Sequence, residues 1–287
     1  MSLAEPLLRG ALVDASAFRV PLRHWRAACA PPQGEEPAAC AAFWDVLPGG
    51  ILVAAIADGS GAPRGAAGAT LATRHAAKCV RKRHESDGGP RGPADARNLL
   101  LHACHAARAA LVAAAERGRT APAELDCALR VVLCTPDLLV CAGVGETGLS
   151  AEDSAGRRIE AACDERALPS GPALARPDAL ERARVSVARF EVRRLVVTSA
   201  GAWASVRRLL HASDPSSGDS LTRAIETSRD EREASSRLAQ LLSPAASCSV
   251  PAVVLVASLD LPAAAALGPG ARTSRGETAP EALLRAA

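Results

Sequence analysis

Hydrophobic and polar positions along this chain switch repeatedly between a period of two and a period near 3.6. Short apolar runs bounded by Gly and Pro predict strands over Leu22–Ala28, Ala41–Leu47 and Ile51–Ala57. Two helices follow, over Pro63–Arg83 and Ala94–Arg117, separated by the polar linker ESDGGPRGP. In the second, Leu99, Leu100, Ala103, Ala107, Leu111 and Ala114 recur at helical spacing. The period then shortens. Leu125–Cys134 and Leu138–Val144 read as strands joined at Thr135-Pro136-Asp137, a turn composition. Leu149–Asp178, rich in Gly, Pro and charge, predicts irregular structure. Strands resume at Ala183–Val192 and Arg194–Ser199. A short helix at Ala202–His211, a helix over Asp219–Leu242 capped near Ser220 and a last strand at Pro251–Ser258 complete the pattern. This order predicts an α+β architecture in which packed sheets carry helices outside them. It divides the chain into an N-terminal extension, 1–21, one domain, 22–258, and a mobile tail biased to Ala, Pro and Gly, 259–287.

Composition adjusts this picture. The 287 residues are 48% hydrophobic but only 2% aromatic, without tyrosine, so the core is expected to rest on Ala, Val and Leu. The bias toward Ala, Arg, Gly and Pro is that of a GC-rich genome. With 34 basic against 31 acidic residues the net charge is +3, too balanced to argue for nucleic acid or membrane binding. The basic run RHAAKCVRKRH reads as the solvated end of a helix, where cations complement the dipole. Nine scattered cysteines, without a CxxC pair, read as reduced core thiols. The start, MSLAEPLLRGALVDASAF, lacks the layout of a secretory signal, and the apolar stretches are strand-length or interrupted by charge. The expectation is a bacterial-type cytoplasmic protein with no membrane span.

Candidate chemistry concentrates in ILVAAIADGSGA, Ile51–Ala62, where an apolar strand delivers Asp58 onto a glycine-rich turn. Such a carboxylate suits a metal or phosphate site, and it equally suits a helix N-terminal cap; both readings stand. His102 and His105 share a helix face but have no third ligand nearby in sequence, so they read as packed or exposed. Ser60 lacks an assignable base, and neither a Gly-x-Ser-x-Gly elbow nor a Walker pattern occurs.

The order of elements, with ADGSGAPRGAAGATLA, AELDCALRVVLCTPDLLVCAGVGETG, RLVVTSAGAWASV, SPAASCSVPAVVLVAS and the tryptophan strand at His24-Trp25-Arg26, resembles the metal-dependent protein phosphatase 2C family, in its divergent bacterial branch. The resemblance covers Leu22 to Ser258. It implies a β-sandwich of two antiparallel sheets flanked by helix pairs. It also implies two Mg2+ or Mn2+ ions activating a water against phosphoserine or phosphothreonine.

Of the ligand positions the resemblance implies, Asp58 and Gly59 are present, and Glu146 stands at an accessory position. The first aspartate is replaced by Ala41 or Ala42, according to register, another by Ala200, and the pair before the last strand by Val250 and Pro251. One carboxylate holds a strongly hydrated ion weakly, so little or no Mg2+ or Mn2+ binding is expected. The leading expectation is a catalytically impaired pseudophosphatase that binds a phosphoprotein or kinase in signalling. The alternative is an active phosphatase whose rearranged metal site draws on Asp58, Glu146 and Asp45 or Asp126.

Overall fold

The computed structural model describes residues 24–29, 39–59, 61–135, 137–162, 174–200, 202–203, 223–224, 227–242 and 254–260. The terminal extension, the tail beyond 260, Ser60, Gly201, the Ser220 cap and the Val250-Pro251 position lie outside the described residues; 259–260, read as tail, continue the last strand.

Two five-stranded antiparallel sheets stack face to face. The front sheet orders β2 (Cys40–Leu47), β3 (Ile51–Asp58), β4 (Ala128–Cys134), β5 (Leu138–Val144) and β8 (Arg184–Arg189). The back sheet orders β1 (His24–Cys29), β10 (Val254–Asp260), β9 (Arg194–Thr198), β6 (Gly148–Glu152) and β7 (Arg158–Ala162). Helices α1 (Gly65–Asp87) and α2 (Pro93–Gly118) cover the outer face of the front sheet; α3 (Glu231–Leu242) lies on the outer face of the back sheet. The expected α+β sandwich is therefore present.

Alternation along the central strands divides the core. On β3 and β4, Val53, Ala57, Leu129, Val131 and Leu133 face α1 and α2. Leu52, Ala54, Ile56, Val132 and Cys134 face the back sheet, against Leu195, Val197 and Leu255. Both faces are buried, so β3, β4 and β5 read as continuous apolar runs instead of alternating ones. The β2–β3 hairpin turns through Gly49 and Gly50 at φ +83° and +71°, left-handed values that disfavour side chains. The Trp25 indole N–H donates to the Gly50 carbonyl at 3.0 Å, which fastens the edge of one sheet to a turn of the other.

Several elements differ from the sequence reading. Leu149–Asp178 is not wholly irregular: it contributes β6 and β7, whose strands are five residues each and too polar to announce themselves. Asp153 holds the turn between them, its carboxylate accepting the Ala155 and Arg157 N–H groups at 2.9 and 2.8 Å. The helix expected over Asp219–Leu242 is interrupted before Glu231. There Asp230 accepts the Glu233 N–H at 2.8 Å and Glu233 accepts that of Arg229 at 2.9 Å, a reciprocal cap that starts α3. The Leu125–Cys134 run splits into a 3-10 turn, Pro122–Leu125, and β4. Of the helix expected at Ala202–His211, Ala202 and Trp203 are helical and the rest lies outside the described residues. Contrary to the reading of the apolar stretches, α2 is long and apolar enough in composition to cross a membrane, at mean hydropathy 1.2. Its stripe Leu99, Leu100, Ala103, Ala107 and Leu111 packs in the core shared with α1 and the front sheet.

The small residues noted in α1 have a direct consequence. Gly68 faces the 3-10 turn so closely that a Cβ would lie 1.9 Å from the Leu125 carbonyl oxygen. In an exposed helix, Gly→Ala gains about 1 kcal/mol. Here Gly68→Ala is expected to lower stability by about 2 kcal/mol, because backbone must move. Urea denaturation checks the sign; a raised midpoint would mean that α1 stands off the turn.

Candidate active site

Asp58 is the last residue of β3 and shares the parity of Leu52, Ala54 and Ile56, so its carboxylate enters the space between the sheets, 3% exposed. The next residue, Gly59, sits against the start of α1. A Cβ on Gly59 would meet the Gly65 carbonyl oxygen at 2.2 Å, and one on Gly65 would meet that of Gly59 at 1.8 Å. Two glycines thus let the helix begin in contact with the strand end. From the back sheet, β9 ends at Thr198 and the chain turns through the fully buried Ser199. The Ala200 N–H then donates to Asp58 Oδ2 at 3.2 Å. The two positions that the resemblance pairs are brought together, with a methyl group and an amide where a second carboxylate would stand.

Strand register decides the neighbouring positions. Cys40 lies directly opposite Asp58, Ala41 opposite Ala57 and Ala42 opposite Ile56. Ala41 packs in the core beneath the helices and Ala42 against the core between the sheets. The side chain across from Asp58 is therefore Cys40, which the sequence reading passed over. Asp45 lies at the far end of the same hairpin, paired with Arg81 of α1 and accepting the Val46 N–H at 3.0 Å. Asp126 is also committed elsewhere: its Oδ1 accepts N–H groups from Cys127 at 2.9 Å and Ala175 at 2.7 Å, clamping the segment before β8 to the entry of β4. His102 and His105 are both exposed on α2.

Glu146 is partly buried in the turn after β5, next to Gly145 at φ +78°. Leu129 pairs with Val144, so this turn emerges at the Asp58 end of the front sheet. Arg130 supports it. This arginine, 2% exposed, donates from Nε to Thr147 Oγ1 at 3.0 Å and from a terminal nitrogen to the Thr147 carbonyl at 2.8 Å. Arg130 lies opposite both Ile56 and Gly143, on the inter-sheet face, one diagonal step from Asp58. A charged residue within the otherwise apolar ALRVVLC was the available signal for it.

The donor set does not fit two hard cations. Mg2+ and Mn2+ take six oxygens each, with several anionic, and a two-metal centre needs carboxylates from more than one side. Among the described residues no cluster of three His, Cys, Asp or Glu side chains could hold a metal ion. Burial raises the Cys127 thiol well above its ordinary value, and the charges of Asp126 and Asp58 raise it further, so this sulfur stays protonated and ligates poorly.

With this geometry established, comparison with known proteins is direct. The protein phosphatase 2C profile matches residues 36–243. The chain belongs to the protein phosphatase 2C family. Among curated proteins none matches it in sequence. Among solved structures it is similar to a serine/threonine phosphatase of Staphylococcus aureus, with TM-score 0.60 and 13% identity over 83% of this chain and 95% of that one. A Mycobacterium tuberculosis serine/threonine phosphatase gives TM-score 0.53 and 17% identity over 83% and 99%. A serine/threonine phosphatase catalytic domain crystallised with two manganese ions gives 0.51 and 15% over 83% and 98%. At these identities the likeness is one of fold.

Asp126 yields a pH test. Burial raises its carboxyl above the ordinary 3.8, opposed by the Ala175 and Cys127 N–H groups. A carboxyl raised on folding binds its proton more tightly in the native state, so it costs stability as pH rises from the unfolded value through the raised one. Asp126→Asn keeps an acceptor oxygen and removes that cost. Its stability relative to wild type is expected to increase with pH across this window and level off above it, measured by urea midpoints from pH 3.5 to 7. A difference independent of pH would show that Asp126 ionises no less readily folded than unfolded.

Proposed function

We propose that this chain is a catalytically impaired phosphatase 2C domain that acts in signalling by binding a phosphoprotein or a kinase. One observation carries the reading: the cleft presents Asp58 as its central carboxylate, and the residue arriving from the opposite sheet is an alanine whose amide occupies Asp58 Oδ2. The environment supports it. Arg130 places a permanent cation on the same inter-sheet face, where it disfavours entry of a divalent ion and helps to offset the buried charge of Asp58. The intact sandwich and the close helix contact through Gly59 and Gly65 preserve the shape of a phosphoprotein-binding domain without its metal centre.

The test is Mn2+-dependent hydrolysis of an aryl phosphate by the full chain beside Asp58→Ala. Equal, background rates are expected, and calorimetric titration should find no Mn2+ site tighter than about millimolar, as for a lone carboxylate. Turnover that disappears in Asp58→Ala would overturn the reading.

The geometry also says how binding should return. Cys40→Asp together with Ala200→Asp surrounds Asp58 with carboxylates from both sheets and is expected to tighten Mn2+ binding by about tenfold or more over wild type, while either change alone does little. Calorimetry checks it, with a melting curve to establish that the double variant folds. Unchanged affinity in a folded double variant would mean that residues other than the missing ligands close the cleft.

A further inference from the structure

The basic run of α1 borders a groove of about 460 Å3, which lies between the second half of α1 and the first half of α2. Cys79 and the apolar Leu99 line its wall, Lys82, Arg83 and His102 supply cationic or protonatable donors, and Ser86 and Asn98 add neutral ones. Cys79 is fourteen residues along α1 from Gly65, so the groove begins roughly 20 Å from the Asp58 end of the helix. It is a separate site.

Charge is concentrated here. From Arg74 to His105 the sequence holds seven Lys and Arg against three Asp and Glu, a net of +4, while the whole chain is +3. The remainder of the protein therefore sums to −1, so the positive excess of the chain lies in this helix pair, where Lys82 and Arg83 line the groove. Arg83 is paired with Asp87 at 2.6 Å, but both side chains are largely exposed. Such a pair is weak and leaves the guanidinium available to a better partner.

We propose that this groove binds a phosphorylated serine or threonine segment of a partner protein. A phosphate dianion presents three acceptor oxygens and is matched by converging ammonium, guanidinium, imidazole and amide donors, where a carboxylate would use fewer. The apolar wall at Leu99 suits a side chain neighbouring the phosphoresidue. The acidic residues Asp95, in the groove, and Glu85 and Asp87, on the same helix end, interrupt the positive surface. They repel a continuous polyanion such as nucleic acid, while a single phosphate on a short segment passes between them. The proposal rests on the reading above only for the class of partner.

Fluorescence anisotropy of the full chain with a labelled peptide pool, degenerate around one phosphoserine, tests it beside the same pool with serine. The phosphorylated pool is expected to bind at least about tenfold more tightly, as charge-assisted hydrogen bonds require, and to weaken with added salt. Lys82→Glu with Arg83→Glu, and separately Asn98→Glu, should each reduce that binding by about tenfold or more; all three positions are exposed, and melting curves confirm folding. Hydrogen exchange should show protection over residues 79–86 and 95–102. Equal binding of the two pools, unaffected variants, or equal binding of single-stranded DNA overturns the proposal. Protection over Asp58–Gly65 instead would also overturn it, while leaving the cleft as the partner site. Metal-dependent turnover through Asp58 would overturn the impaired reading and leave groove binding intact, so the two fail separately.

Discussion

The structure turns on a buried carboxylate at the seam between two sheets. Asp58 is carried into apolar surroundings by a strand covered on both faces, and a charge there must be paired or hydrogen-bonded to be tolerated. In a domain with a full metal centre, cations answer that need. Here the backbone N–H of Ala200 is one of the groups that do so, which makes the same contact a link from the front sheet to the end of β9. Arg130 adds a cation on the same face and donates two hydrogen bonds to Thr147, so the turn bearing Glu146 is held by the same region of the core.

Small residues make this arrangement possible. With few aromatics available, the core gains density from close backbone approach instead of large side chains. Gly59 against Gly65, Gly68 against Leu125 and Gly148 against the Trp203 ring are three such approaches, and each lies near the end of the sandwich where the cleft opens. The fit of that end therefore comes from backbone contact at glycines. Along β2, Ala42 packs as an apolar group against the apolar core between the sheets, and Ala200 meets Asp58 through its backbone N–H.

The distribution of charge separates two surfaces with different capacities. The cleft sets the buried Asp58 among methyl groups with a buried arginine on the same face, whereas the α1–α2 groove gathers exposed donors around an apolar wall. The donors of the second are solvated side chains, whose electrostatics salt screens, while the first is shaped by the geometry of two sheet ends.

Much of the fold was legible in the sequence because periodicity reports burial. The uninterrupted apolar runs at Ile51–Asp58 and Leu138–Val144 appear as central strands, since both of their faces are covered, and the helical spacing of Leu99 to Leu111 appears as the buried stripe of α2. Asp58-Gly59 was legible as a strand end for the same reason. What the sequence did not determine depended on partners distant in the chain. The strands β6 and β7 are short and polar, and they exist because β9 offers a ladder to pair with. Cys40, not Ala41 or Ala42, faces Asp58 because cross-strand register is set by the Gly49-Gly50 turn, and one residue of slip exchanges the two faces. The contact of Ala200 with Asp58 joins residues of different sheets, and the groove arises only when α2 packs beside α1. Local pattern fixed which side chains are buried; only tertiary packing decided which of them meet.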